Sequence, residues 1–113
     1  MTSPIKIGLT GSIGMGKSTT AEMFRAEGIP VWSADNAVHE LYLPKGEGTA
    51  AIAELCPAAV SESGVDRKIL SAWIQESPER LSDVEKEIHP LVAKHRQNFI
   101  EAASEAAVVL DIP

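Results

Sequence analysis

Eight residues near the N-terminus, Gly11-Ser12-Ile13-Gly14-Met15-Gly16-Lys17-Ser18, constrain this chain more than any other feature. They satisfy G-x-x-x-x-G-K-[ST] at every fixed position. Glycines at those spacings let successive backbone N–H groups curl toward one centre, and the positive end of a following helix adds to the attraction for phosphate. The motif therefore requires a strand before it and a helix after it, and the flanks comply. Ile5, Ile7 and Leu9 alternate with Lys6 and Gly8, the pattern of a short strand. Lys17 to Glu27 carries Ala21 and Phe24 on one face and is followed by Gly28 and Pro30, where a helix terminus wants them. In this reading Lys17 reaches the β and γ phosphates of a nucleotide, and the Ser18 hydroxyl ligates Mg²⁺. A structural glycine turn with no ligand is the bland alternative.

The rest of the chain alternates strands with helices. Ile29 to Trp32 reads as a second strand, ending in the cap-type sequence Ser33-Ala34-Asp35. A helix over 36–43 follows, with Ala37, Val38, Leu41 and Tyr42 on one face and Pro44 as its stop. Ala51, Ile52 and Leu55 indicate a short third helix, and Pro57 to Gly64 reads as a loop. Asp66 can cap a helix whose face is Ile69, Leu70, Trp73 and Ile74, and Ser77-Pro78 opens another carrying Leu81, Val84 and Ile88. Pro90 predicts an interruption, so His89-Pro90 is read as the junction to a further helix with Leu91, Val92, His95 and Phe99 inward. Ala106 to Leu110 is a continuous apolar run, as in a buried parallel strand, ending at Asp111. The order predicts an α/β fold with a parallel sheet flanked by helices, as one domain over 1–113 that is largely helical over 36–104.

Composition narrows the function classes. Of 113 residues 44% are hydrophobic and 23% charged, which fits a globular core, and the net charge of −6 excludes a generic nucleic-acid binder. No window approaches the roughly 18 to 20 apolar residues of a membrane span, and Met1-Thr2-Ser3-Pro4 leads straight into a strand, with no signal peptide. A cytoplasmic protein is expected. The single cysteine, Cys56, excludes an internal disulfide and reads as a small buried hydrophobe.

In open parallel sheets ligands bind outside the carboxyl ends of the strands, so Gly11, Asp35 and Asp111, each just past a predicted strand, should face one side. A phosphoryl acceptor with a hydroxyl group needs an oriented proton acceptor, and Asp35 is the candidate. An equally good reading makes Asp35 the N-cap of the helix over 36–43. Asp111 resembles the aspartate that holds Mg²⁺ in phosphate-loop enzymes.

With these residues in view, the chain resembles the dephospho-CoA kinase family, which phosphorylates the ribose 3′-hydroxyl of dephospho-CoA with ATP in the last step of coenzyme A synthesis. The resemblance runs through Ile7 to Thr19, Ser33-Ala34-Asp35, Val65-Asp66-Arg67 before a helix, His89-Pro90, and Val109-Leu110-Asp111-Ile112-Pro113. It implies a phosphate-loop kinase fold and an ATP site at Gly11, Ser12, Ile13, Gly14, Met15, Gly16, Lys17, Ser18 and Thr19. It also implies Lys17 and Asp35 as catalytic residues, Asp35 being the base on the 3′-hydroxyl, and Arg67 and His89 in the helical part that receives the CoA moiety. Taken on their own, Arg67 reads as a surface residue at a helix start and His89 as a satisfied polar group. The family loop commonly has Gly and Ser where this chain has Ser12 and Met15, both variable positions of the general motif.

Family members continue past Pro113 with further strands and a basic helical lid. The resemblance therefore implies a chain truncated before the last strands and the lid, binding nucleotide phosphate but impaired or inactive in transfer, and prone to self-association through an unpaired sheet edge. Two other functions share the architecture: another nucleotide or metabolite kinase, and a non-catalytic nucleotide-binding module. The partners expected are ATP and dephospho-CoA, with neither nucleic acid nor membrane.

Overall fold

The computed structural model describes residues 4–10 and 17–112. It divides into two compact units, Met1–Ala37 with His95–Pro113, and Val38–Lys94. The loop residues 11–16 lie outside the described residues.

The first unit holds a three-stranded parallel sheet in the order β1-β5-β2, formed by β1 (Ile5–Leu9), β2 (Val31–Ser33) and β5 (Ala107–Asp111). The apolar run of β5 takes the central place, with Val108 and Val109 fully buried. A parallel strand covered on both faces reads in this way. Its neighbours meet it in register: Ile7 pairs with Val109 and Leu9 with Asp111 on one side, and Val31 pairs with Val109 and Ser33 with Asp111 on the other. Helix α1 (Lys17–Ala26) starts at the last part of the glycine motif and buries Ala21. It ends in a Schellman turn, where Gly28 N–H bonds Arg25 O at 2.9 Å and Ile29 N–H bonds Phe24 O at 3.0 Å. That turn puts Gly28 at φ +80°, a conformation glycine adopts at little cost.

Two helices continue from one unit into the other, α2 (Ala34–Leu41) and α5 (Arg80–Ala102). The second unit adds α3 (Glu47–Leu55), α4 (Arg67–Glu76) and a hairpin of β3 (Val60–Ser61) and β4 (Gly64–Val65). Tyr42, Ile52, Cys56, Ala59, Leu70, Val84 and Ile88 form its core. Asp66 caps α4 as expected, its carboxylate accepting from Lys68 N at 3.0 Å and Ile69 N at 3.2 Å.

Three sequence expectations are corrected. The segment read as a loop over Pro57 to Gly64 contains a single 3₁₀ turn at Pro57–Ala59 and then the hairpin. Strands of two residues are too short to show alternation. The junction at His89-Pro90 is absent, because α5 runs through Pro90 for 23 residues. An interior proline costs a helix about 3 kcal/mol. Val84 and Ile88 before it and Ile100 after it are each only 6% exposed, and burial of one such side chain contributes roughly 1.5–3 kcal/mol, so together they outweigh the proline. Ile69 and Leu81, expected inward, are 43% and 47% exposed. Among the described residues no helix is long and apolar enough to cross a membrane.

Candidate functional site

The parallel sheet of the first unit ends level. Leu9 and Ser33 both pair with Asp111, so the last residues of β1, β5 and β2 stand side by side. Strands lie about 4.8 Å apart, which puts the ends of β1 and β2 roughly 10 Å apart with Asp111 between them. The glycine motif opens two residues after Leu9 and α1 begins at Lys17, the strand and helix context that its phosphate-cradling geometry requires. The predicted ligands Gly11 to Gly16 lie outside the described residues. Lys17 and Ser18 open α1, and Thr19 is exposed in its first turn.

Asp35 is not the cap of its helix. Helix α2 starts at Ala34, and the Ser33 hydroxyl accepts from Asn36 N–H at 3.4 Å, so Ser33 occupies the capping place. Asp35 stands inside the first turn with its side chain exposed, where a negative charge meets the positive end of the helix. Asp111 is half-buried, with carboxylate oxygen Oδ1 closed off from solvent. Its strand continues one bond further, from Ile112 N–H to Leu9 O at 3.0 Å.

In the second unit Arg67 is the first residue of α4 and is exposed. Its guanidinium lies 5.7 Å from the centre of the Tyr42 ring. Tyr42 is buried, and that burial raises its phenol pKa above the ordinary value, with the Arg67 charge opposing part of the rise. The Tyr42 carbonyl accepts from Val65 N–H at 3.0 Å, which seats the hairpin. Together with Lys68, Ser61, Ser63 and Gly64, Arg67 lines a cleft of about 540 Å³ between the hairpin and the start of α4. His89 is exposed on α5, a different helix, and no hydrogen bond or ring contact joins it to Arg67 among the described residues.

Three other basic residues are engaged elsewhere. Arg25 pairs with Glu22, Lys94 bonds Glu47 at 3.2 Å, and Arg80 bonds Trp73 O at 2.7 Å while lying 4.6 Å from the Trp73 ring. Sequence reasoning missed two side chains beside the candidate residues. Tyr42 was read only as a core position, although its place in a buried face ahead of a proline stop marks an aromatic held at a chain reversal. Trp32, in β2, donates its indole N–H to His95 Nδ1 at 3.0 Å, and the inward spacing of His95 on α5 was the signal.

A family profile described as dephospho-CoA kinase matches residues 5–113. The dephospho-CoA kinase of Cereibacter sphaeroides is 52% identical over 110 residues, covering 97% of this chain and 56% of the relative. That of a Jannaschia species is 49% identical over 108 residues, covering 95% of this chain and 56% of the relative. Among solved structures, the crystal structure of TT1252 from Thermus thermophilus superposes with a TM-score of 0.82 at 34% identity, over 99% of this chain and 57% of that one. The chain thus spans little more than half the length of the curated relatives it matches.

Proposed function

The chain belongs to the dephospho-CoA kinase family, and on that premise we propose that the protein moves the γ-phosphoryl group of ATP onto the ribose 3′-hydroxyl of dephospho-CoA, giving ADP and coenzyme A. The observation that carries this reading is the level ending of the three parallel strands. It sets Leu9, Asp111 and Ser33 side by side at one end of one sheet, and in sequence the glycine motif follows Leu9 by two residues and Asp35 follows Ser33 by two.

Phosphoryl transfer asks the protein for position and charge more than for covalent chemistry. The backbone N–H groups of Gly11 to Thr19 hold the phosphates, and the Lys17 ammonium balances the charge between β and γ. Asp35 accepts the 3′-hydroxyl proton as that oxygen bonds to the γ-phosphorus and the bond to the bridging oxygen of ADP breaks. Its exposed place in the first turn of α2 leaves the carboxylate open to an acceptor. Arg67 and His89 are assigned to the CoA moiety, Arg67 because a guanidinium pairs with phosphate through two parallel bonds.

The residues present fit Mg²⁺. Asp111 and Ser18 carry the hard oxygen donors that Mg²⁺ takes, and the Asp111 oxygen Oδ1 is closed off from solvent. Mg²⁺ completes its shell with phosphate oxygens and water. Bound there, it would neutralise charge on the β and γ phosphates.

The test incubates the protein with Mg-ATP and dephospho-CoA and looks for coenzyme A by mass spectrometry. It is run on this chain and on this chain joined to the C-terminal part of the Cereibacter relative. Asp35→Ala and Lys17→Ala are expected to abolish the product. Absence of coenzyme A from both forms refutes the assignment, and product from Asp35→Ala refutes the role of the base.

A further inference from the structure

Strand β2 is three residues long and, among the described strands, hydrogen-bonds to β5 alone, yet it delivers the turn on which Asp35 stands. So short a strand has few ladder bonds to fix its end. Its middle residue, Trp32, is 3% exposed, and an indole N–H is donor only, so it needs an acceptor when buried. That acceptor is His95 Nδ1, 3.0 Å away and 63 positions later in sequence. The two rings are tilted by 48° with centroids 6.3 Å apart, which makes the N–H bond the principal contact. The guanidinium of the next residue, Arg96, lies 5.9 Å from the Trp32 ring.

We infer that His95 is a positioning residue for Asp35: by accepting the Trp32 indole proton it fixes the end of β2 and with it the first turn of α2. The inference rests on the reading of Asp35 as the base. Ser33, whose hydroxyl caps that turn, directly follows Trp32, and Asp35 lies two residues further on. A base must come to about 2.6–3.2 Å from the oxygen whose proton it takes, and a misplacement of about 1 Å can cost on the order of 100-fold in rate. Imidazole Nδ1 accepts only while the ring proton sits on Nε2, so the replacement that preserves the function is one that keeps an acceptor oxygen.

The variants are His95→Leu, which keeps bulk and removes the acceptor, His95→Gln, which restores one, and Trp32→Phe, which removes the donor. Amide exchange at Asn36, whose N–H is held by the Ser33 hydroxyl, reports the turn directly. Exchange at Ile52 and Leu70 reports the second unit. His95→Leu and Trp32→Phe are expected to speed Asn36 exchange and, in the chain joined to the C-terminal part of the Cereibacter relative, to lower kcat, each by about 10-fold, with KM for ATP unchanged. Ile52 and Leu70 should keep parental exchange, and His95→Gln should restore Asn36. The double variant should be no worse than either single one. Parental exchange at Asn36 in both single variants, or losses that add in the double variant, overturns the inference. If His95→Leu does not fold, Trp32→Phe against His95→Gln carries the same comparison. Asp35→Asn separates the two claims: parental turnover in that variant removes the base, while the Asn36 exchange decides the role of His95 on its own.

Discussion

Alanine placed at three glycines should separate two costs that are usually confounded, the left-handed backbone and the added Cβ. Gly8 has an ordinary φ, and a Cβ there would meet nothing within 4 Å. Gly28 sits at φ +80° with open space around it, so alanine there faces only the backbone cost, about 1 kcal/mol. Gly64 sits at φ +97°, and a Cβ there would fall 2.3 Å from the Tyr42 carbonyl oxygen. That oxygen cannot withdraw freely, because it accepts from Val65 N–H at 3.0 Å. Relief means breaking the bond and leaving a partly buried N–H unsatisfied, a further 1–3 kcal/mol or so, for a total of roughly 3 kcal/mol. The expected order is Gly8→Ala within about 0.5 kcal/mol of the parent, Gly28→Ala near 1 and Gly64→Ala near 3. At about 4–8 °C per kcal/mol for a domain near this size, Gly64→Ala should lower Tm by roughly 12–24 °C. Urea unfolding followed by far-ultraviolet circular dichroism measures all three. If Gly64→Ala loses no more than Gly28→Ala, the contact with Tyr42 is not a constraint, and the account of how the hairpin seats against it fails.

Asp66→Ala removes the acceptor for Lys68 N–H and Ile69 N–H and should cost about 1 kcal/mol in the same assay, with Asp66→Ser recovering most of it. Tyr42 is the single tyrosine, so absorbance near 295 nm titrates it alone, and its phenol should ionise above the ordinary value of 10.0. A folded-state pKa raised above the unfolded one means the native state holds the proton longer. The contribution to stability is therefore complete below pH 10.0 and is lost as pH rises through the folded-state value. Arg67→Met keeps an apolar cover over the ring and removes the charge that opposes the rise, so Tyr42 should titrate higher still; a downward shift would contradict the ring contact. Strand β1 pairs with β5 alone among the described strands, and its Ile5 is 69% exposed. This chain by itself should associate through that edge, and Ile5→Lys should reduce the association in sedimentation experiments; a monomer at high concentration rules it out.

Residues whose role is set by their immediate neighbours were legible in the sequence. The five residues of β1, the Gly28 terminus of α1, the Asp66 cap and the apolar run of β5 each follow from local pattern, and each is where the pattern put it. Failures came where distant contacts decided the matter. Pro90 has the local chemistry of a helix stop, and only the buried positions on either side keep α5 intact. The hairpin of β3 and β4 depends on Gly64 fitting against the Tyr42 carbonyl, which no spacing of apolar residues announces. At the candidate site the level ending of β2 and β5, two residues before Asp35 and at Asp111, was readable, because parallel strands share a direction. That Ser33 and not Asp35 caps α2 was not readable, since both residue types cap helices well.

Strand order has a consequence for how the candidate residues depend on one another. Strand β1, which leads to the glycine motif, and strand β2, which leads to Asp35, do not pair with each other; β5 lies between them and pairs with both. Val109 faces Ile7 in one neighbour and Val31 in the other, and Asp111 faces Leu9 and Ser33. The relative position of the ends of β1 and β2, Leu9 and Ser33, is thus set by one strand of five residues. The fully buried Val108 and Val109 fix the depth of that strand, so a change beneath it would move both sides of the site at once.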